Sequence, residues 1–341
     1  MASSGTREKE LFAKKEWRKD MFRKTSIIGL LAALIILVGI FYAVKYTGSE
    51  DRTFRSQVLE YDPNEITAIH VKDLQTGDDT EIQKEGDKWL LTGNGIQYNG
   101  GVDAIANIIG LLSKLNTESI VATQQDKWEK YQVDEQSAIR VRLYTGDDLA
   151  GDLFIGKFDF EQIPSAAPGR QPQTKMTSYV RPAEENKVYA VNGILRSNFQ
   201  GGAKPFRDRN VLSVDNLHDI NRVSLSGSNM QIELLKKDTA SWTINGMPSD
   251  SVETIRYLRG LSNLRNYDFI DDVDISPLTP EYTARVEGNN FAPVTLYAYP
   301  AADSTIKYYI TSTFNEGTVF NGMRSKTFEK IFTRAEELLS E

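Results

Sequence analysis

No cysteine occurs in the chain. That excludes disulfides, thiolate metal sites and cysteine nucleophiles, and it suits an oxidising compartment. Histidine is nearly as scarce. His70 lies in AIHVKD and His218 in NLHDIN, and neither has a second ligand at metal-binding spacing. No H-E-x-x-H, G-x-S-x-G, P-loop or G-x-G-x-x-G run is present, and Ser197, Ser226 and Ser325 lack a recognisable partner base. The acidic run Asp268, Asp271, Asp272, Asp274 opens like a calcium loop at Asp272-x-Asp274-x-Ser276. The EF-hand reading then fails, because Pro277 stands where the sharp turn needs glycine and Thr283 where the loop needs glutamate. A solvated acidic loop or an irregular cation site is what remains. With no catalytic, cofactor-binding or metal-binding set, the expectation is a non-enzymatic protein with no cofactor. The formal net charge of −7 argues in the same direction against nucleic acid as a partner, since phosphate contacts need an excess of Lys and Arg.

Charge is also missing from one long stretch, IIGLLAALIILVGIFYAV, Ile27 to Val44. Thr25 and Ser26 extend the uncharged run, and a spanning helix needs roughly 20 mostly apolar residues. Eight bases precede it (Arg7, Lys9, Lys14, Lys15, Arg18, Lys19, Arg23, Lys24), whereas only Lys45, Arg52 and Arg55 follow closely. The positive-inside rule then puts the N-terminus in the cytoplasm and the remainder outside it. A cleaved signal peptide is the rival reading, but the apolar run exceeds the ~7–15 residues of a typical signal core and no A-x-A site follows. The reading is therefore a cytoplasmic basic segment over 1–25, a transmembrane helix over 26–46 and a polar tether over 47–57. The basic segment is either a solvated extension of the span or an interfacial helix on anionic lipid or a partner subunit.

About 290 residues follow the span, enough for two domains. They read as two α+β repeats with antiparallel sheets, over 58–212 and 213–341. Ile66-x-x-Ile69-x-Val71 opens the first and Ile220-x-x-Val223-x-Leu225 the second. Each continues to a strand ending in tryptophan, EIQKEGDKWLL with Trp89 and IELLKKDTASWTI with Trp242, and then to Asn94-Gly95 or Asn245-Gly246. An amphipathic helix follows in both, with Val102, Ile105, Ile108, Ile109, Leu112 and Leu115 on one face, and Val252, Ile255, Leu258, Leu261 and Leu264 in the other. Asp103 and Asp250 sit near the helix starts, where a carboxylate suits the positive end. Alternating strands come next: IRVRLY, LAGDLFIGKF, SYVRP and VYAVNG in one copy; YTARVEG, PVTLYAYP, IKYYITS and GTVFNG in the other. Period-two alternation with polar turns such as Gly77-Asp78-Asp79 and Gly146-Asp147-Asp148 argues for antiparallel sheets covered on one face.

The first copy carries an insertion at residues 159–177, DFEQIPSAAPGRQPQTKMT, which reads as a long loop, either a mobile hairpin tip or a partner contact. The copies meet at PFRDRNVLSVD, where Arg207, Asp208 and Arg209 are placed to form local ion pairs, and structural pairing between the domains is the expectation. Tyr297, Tyr308 and Tyr309 either pack in the core or line a binding face.

Taken together, the span, the strand ending in tryptophan, Tyr131-Gln-Val133, LFIGK, YVRP, VYAV and FRDRNVL resemble an uncharacterised domain-of-unknown-function family. Its members are membrane-anchored proteins of Bacteroidota and cyanobacteria that accompany gliding-motility-type ABC transporters. The resemblance implies an accessory protein at the inner membrane with an integral membrane protein partner, ABC transporter subunits among the candidates. It carries over no functional residues. The expectation is thus a single-pass, non-enzymatic extracytoplasmic accessory subunit with a periplasmic body. Two alternatives stay open: a periplasmic polysaccharide- or lipid-binding module, and an accessory subunit of a respiratory or secretion machine.

Overall fold

A computed structural model describes residues 56–163, 172–238 and 241–339. The basic segment, the apolar run and all but the end of the tether lie outside the described residues, so the transmembrane expectation falls there too. Among the described residues no helix is long and apolar enough to cross a membrane.

The alternation builds two antiparallel sheets. In the first, β1 (Ala68–Asp73), β2 (Asp79–Glu85), β3 (Lys88–Gly93) and β4 (Ile96–Asn99) form a meander. Helix α1 (Val102–Ser113), β5 (Thr117–Ala122) and the short helix α2 (Trp128–Tyr131) follow. Next come β6 (Ile139–Thr145), β7 (Asp148–Ile163), β8 (Gln173–Pro182) and β9 (Val188–Asn192). The spatial order is β4-β3-β2-β1-β6-β7-β8-β9-β5. After β10 (Asn210–Ser213) the second sheet forms from β11 (Ile220–Gly227), β12 (Met230–Lys236), β13 (Trp242–Ile244), β14 (Met247–Pro248), β16 (Tyr282–Gly288), β17 (Val294–Pro300), β18 (Tyr308–Ser312) and β19 (Phe320–Asn321). Helix α3 (Ser251–Ser262) and β15 (Asn263–Arg265) lie between β14 and β16, and α4 (Arg334–Glu337) is the last element among the described residues. The order β14-β13-β12-β11-β16-β17-β18-β19 repeats that of the first sheet. One strand differs: β5 closes the edge of the first sheet on β9, whereas β15 leaves its sheet and pairs with β10. The result is an α+β fold with antiparallel sheets, and residues from Gln57 onward form one compact unit.

Both segments read as one strand ending in tryptophan are hairpins. Gly86 adopts φ 61° and reverses the chain between β2 and β3. The Asn-Gly pairs make two-residue turns with φ positive at both positions: 49° and 82° at Asn94-Gly95, 51° and 84° at Asn245-Gly246. That is the type I′ geometry that matches the twist of a hairpin. The expected loop at 159–177 is a correction as well. Residues as far as Ile163, and again from Gln173, form a continuous ladder, Phe158 opposite Ser178 through Ile163 opposite Gln173. The three prolines lie outside that ladder, and Pro164 and Pro168 fall outside the described residues.

Each helix buries its apolar stripe on its sheet, through Ile105, Ile108, Ile109 and Leu112 in α1 and Tyr257, Leu258 and Leu261 in α3. Asp250 caps α3, accepting from Val252 N at 2.7 Å and Glu253 N at 3.0 Å. Val102 and Val252, assigned to the stripes by spacing, are instead exposed, because each sits in the first turn before the helix reaches the sheet.

The LFIGK, YVRP and Tyr131-Gln-Val133 motifs turn out to be one packing unit. Gly156 passes so close beneath residues 131–133 that a Cβ there would lie 2.1 Å from the Tyr131 carbonyl oxygen. Alongside, the buried Arg181 guanidinium lies 3.7 Å from the Trp128 ring centroid and 4.0 Å from that of Phe154, and its Nε donates to Val133 O at 3.1 Å. Burial pushes the pKa of this guanidinium down. A methyl group at Gly156 must displace backbone, and overpacking of this kind costs about 3 kcal/mol. Gly156→Ala is therefore expected to lower the unfolding free energy from a urea titration by that amount, with the far-ultraviolet spectrum of the folded state retained.

Candidate functional site

The connection between the sheets is held by a network of polar contacts. Arg207 is 2 % exposed. Its guanidinium lies 4.0 Å from the ring centroids of both Tyr98, on β4 of the first sheet, and Phe269, which follows β15 and bridges to Phe320 of the second sheet. Its Nη1 donates to Asp271 Oδ1 at 2.5 Å. Backbone bonds run through the same place: Gly101 N to Phe206 O, Asp208 N to Asn99 O and Asn266 N to Arg209 O, each 2.8–2.9 Å. Asn315, 1 % exposed, uses all of its side-chain capacity here. Its Nδ2 donates to Asp208 O (2.9 Å) and Asn210 O (3.1 Å), and its Oδ1 accepts from Asn99 Nδ2 (3.1 Å) and Thr318 Oγ1 (3.0 Å).

The structural pairing expected between the copies is found at Arg207, whereas Arg207, Asp208 and Arg209 form no ion pair with one another. Arg207 pairs across to Asp271, Asp208 accepts from Asn210, and Arg209 lies over Tyr267 at 4.8 Å while donating to Pro205 O. Neighbouring residues on an extended segment point to opposite sides, so contiguous opposite charges there do not meet. The acidic run is explained by the same contacts. Asp271 holds Arg207, Asp268 accepts from Asn321 Nδ2 and Asp274 caps Ser276. Among the described residues no group of His, Asp and Glu is arranged to hold a metal ion.

Beside this seam lies an open hollow of about 480 Å³, lined among others by Asp103, Asp208, Arg209, Arg265, Tyr267 and Phe314. Arg265 reaches Asp103 at 3.2 Å and donates to Asn210 Oδ1 at 3.0 Å. Burial pushes the Asp208 carboxyl up, and Asp103 adds to the shift. A wall carrying both signs of charge is not the apolar pocket with a few polar groups that a lipid or drug-like ligand needs.

The other singled-out residues are dispersed. His70 lies on the outer face of the first sheet between Asp79, which contacts its Nε2, and Arg142, whose Nη2 is 2.5 Å from its Nδ1. Burial works to raise the Asp79 carboxyl, but hydrogen bonds from His70 and Lys72 outweigh it and hold it below the usual carboxylate range. His218 sits in a 3₁₀ turn, Leu217–Asp219, and its carbonyl accepts from Lys236 Nζ at 2.6 Å. Ser197, Ser226 and Ser325 fall on three separate elements. Tyr308 is buried against Phe328, ring centroids 4.2 Å apart, whereas Tyr297 and Tyr309 are half-buried on the opposite side of the strands.

One feature went unread in the sequence. Beyond the body of the first sheet, β7 and β8 continue as a two-stranded ribbon whose Phe158, Phe160 and Met176 are exposed. Period two was present at Phe158 and Phe160, but the nearby prolines masked it.

Two outcomes follow from the seam. Removing one partner of a buried ion pair costs about 3–5 kcal/mol, so Arg207→Ala is expected to lose that much unfolding free energy in a urea titration. Asp208→Asn keeps the acceptor for Asn210 and removes a charge whose carboxyl titrates higher folded than unfolded. A raised carboxyl gives stability that is full below its unfolded pKa and is lost as pH rises through the folded value. Asp208→Asn is thus expected to raise Tm at neutral pH, with the gain disappearing in acid; an equal gain at both pH values would refute the assignment.

No curated protein and no solved structure matches this chain. Residues 94–282 do match a family, described as a domain of unknown function (DUF4340), beginning at the Asn94-Gly95 turn and running through the ribbon and the seam. The match covers more than half of the 341 residues, and the chain belongs to the DUF4340 family.

Proposed function

We propose that this DUF4340 protein is a membrane-anchored, non-enzymatic accessory subunit of an inner-membrane complex, with an ABC transporter the foremost candidate. Residues 1–25 lie in the cytoplasm, 26–46 span the membrane, and the tether 47–57 holds the body in the periplasm. The body is an internal duplication, 58–212 and 213–341, a reading supported by the common strand order of the two sheets. It binds an integral membrane protein partner.

The observation that carries this reading is the filled seam. Periplasmic proteins that bind ligands by closing two lobes need a hinge and a cleft. Here the place between the sheets is occupied by Arg207, Tyr98, Phe269 and Asn315, and the hollow beside it is charged. A body pinned in that way suits a fixed scaffold for another protein. A second reading, a polysaccharide-binding module, is favoured by Tyr297 and Tyr299, whose ring centroids lie 6.3 Å apart on the outer face of the second sheet beside Tyr309.

Affinity purification of the full chain from solubilised membranes tests the proposal. An integral membrane protein is expected to co-purify in fixed stoichiometry. Recovery of the chain alone, together with retention on immobilised polysaccharide that is lost in Tyr297→Ala/Tyr299→Ala, would replace the first reading by the second.

A further inference from the structure

The β7–β8 ribbon has two unlike sides. Directly opposed residues of an antiparallel pair point the same way. Phe158, Phe160 and Gln162 therefore share a side with Ser178, Met176 and Thr174, and none of these six is charged. On that side Phe160 is 73 % exposed, Met176 40 % and Phe158 38 %. The opposite side carries Asp159, Glu161 and Lys175, with Ile163 at the end of β7. Lys157 lies 3.3 Å from Asp159, Lys175 lies 2.7 Å from Glu118, and Glu161 stands directly opposite Lys175. β6 leaves β7 at Ile155, and among the described residues the strands past Phe160 pair only with each other, so there the outer edges have no ladder partner.

The ribbon's direction is fixed by register. Gln57, the first residue of the compact unit, bridges to Asn116 at the start of β5. β5 pairs Thr117 with Val191, and β9 pairs Asn192 with Thr177. Gln57, Asn116, Asn192 and Thr177 thus lie at one end of the sheet, and the ribbon grows past Thr177 from that same end. The ten residues of tether before Gln57 reach at most about 35 Å when fully extended, and the four residues past Thr177, Phe160 to Ile163, project roughly 13 Å.

We infer that this ribbon is a foot on the membrane: the side bearing Phe158, Phe160 and Met176 rests in the headgroup interface of a phospholipid bilayer. The inference rests on the anchored reading above. An uncharged, aromatic side gains by leaving water. The outer edge groups need hydrogen-bonding partners, which the hydrated interface offers and the hydrocarbon core does not. The charged side faces away from the bilayer, so no ion has to be desolvated. A short tether that leaves from the same end keeps the foot within reach of the bilayer.

The cysteine-free chain allows a direct test. Single nitroxides are placed on the full chain at Phe160→Cys, Glu161→Cys, Asn229→Cys in the hairpin between β11 and β12, and Leu34→Cys in the apolar run. The labelled proteins are reconstituted in nanodiscs of phosphatidylcholine and phosphatidylglycerol, and collision rates with oxygen and with a water-soluble nickel complex are compared. The oxygen-to-nickel ratio at position 160 is expected to exceed that at 229 several-fold, with 161 falling between them. Lipid exposure at 34 with a position-160 ratio equal to that at 229 overturns the foot alone. Shielding of 160 from both reagents also overturns it, in favour of a protein contact. Water exposure at 34 overturns the anchored reading itself.

Discussion

The guanidinium of Arg207 holds the architecture in register. One sheet supplies the ring on one of its faces, the region after β15 supplies the ring on the other, and Asp271 takes its proton-bearing edge. Moving a cation out of water costs several kcal/mol, and two aromatic faces with a carboxylate offset that cost only while all three stay in place. The arrangement therefore acts as a register device: any slip of one sheet against the other leaves a buried charge uncompensated. Asn315 does for the backbone what Arg207 does for the side chains. It bonds Asp208 O and Asn210 O on the open edge of β10, standing in for a strand that is not there.

Much of the fold was legible because it rests on local signals. Asn94-Gly95 and Asn245-Gly246 announced hairpin turns, Asp250 announced a helix start, and the alternation in IRVRLY and YTARVEG announced half-buried strands. The signals that misled were also local. Spacing put Val102 and Val252 on buried stripes, but a first helical turn stands off the sheet it will reach later. Three prolines within 164–172 made their whole neighbourhood look like loop, although Phe158, Asp159, Phe160 and Glu161 already alternated.

What the sequence hid is long-range pairing. Arg207 was visible, and so was the acidic run 268–274, yet nothing in either stretch said that they belong together. The same holds for Arg181 and Trp128, which meet only because Gly156 lets residues 131–133 cross its strand. Candidate chemistry fared likewise. His70 is engaged by Asp79 at Nε2 and by Arg142 at Nδ1, so the ring cements the outer face of its sheet.

The point where the chain enters the compact unit at Gln57 has a mechanical side, should the chain be anchored as proposed. Gln57 bridges to Asn116, and Val58 N donates to Leu115 O, at the corner between α1 and β5. β5 is the outermost strand of its sheet, so tension arriving along the N-terminal segment meets a few hydrogen bonds in succession instead of a whole ladder at once. Under load the corner would peel first, while Arg207 and Asn315, several strands away, carry no share of the pull. The linkage behaves as a shock absorber in front of a stiff frame.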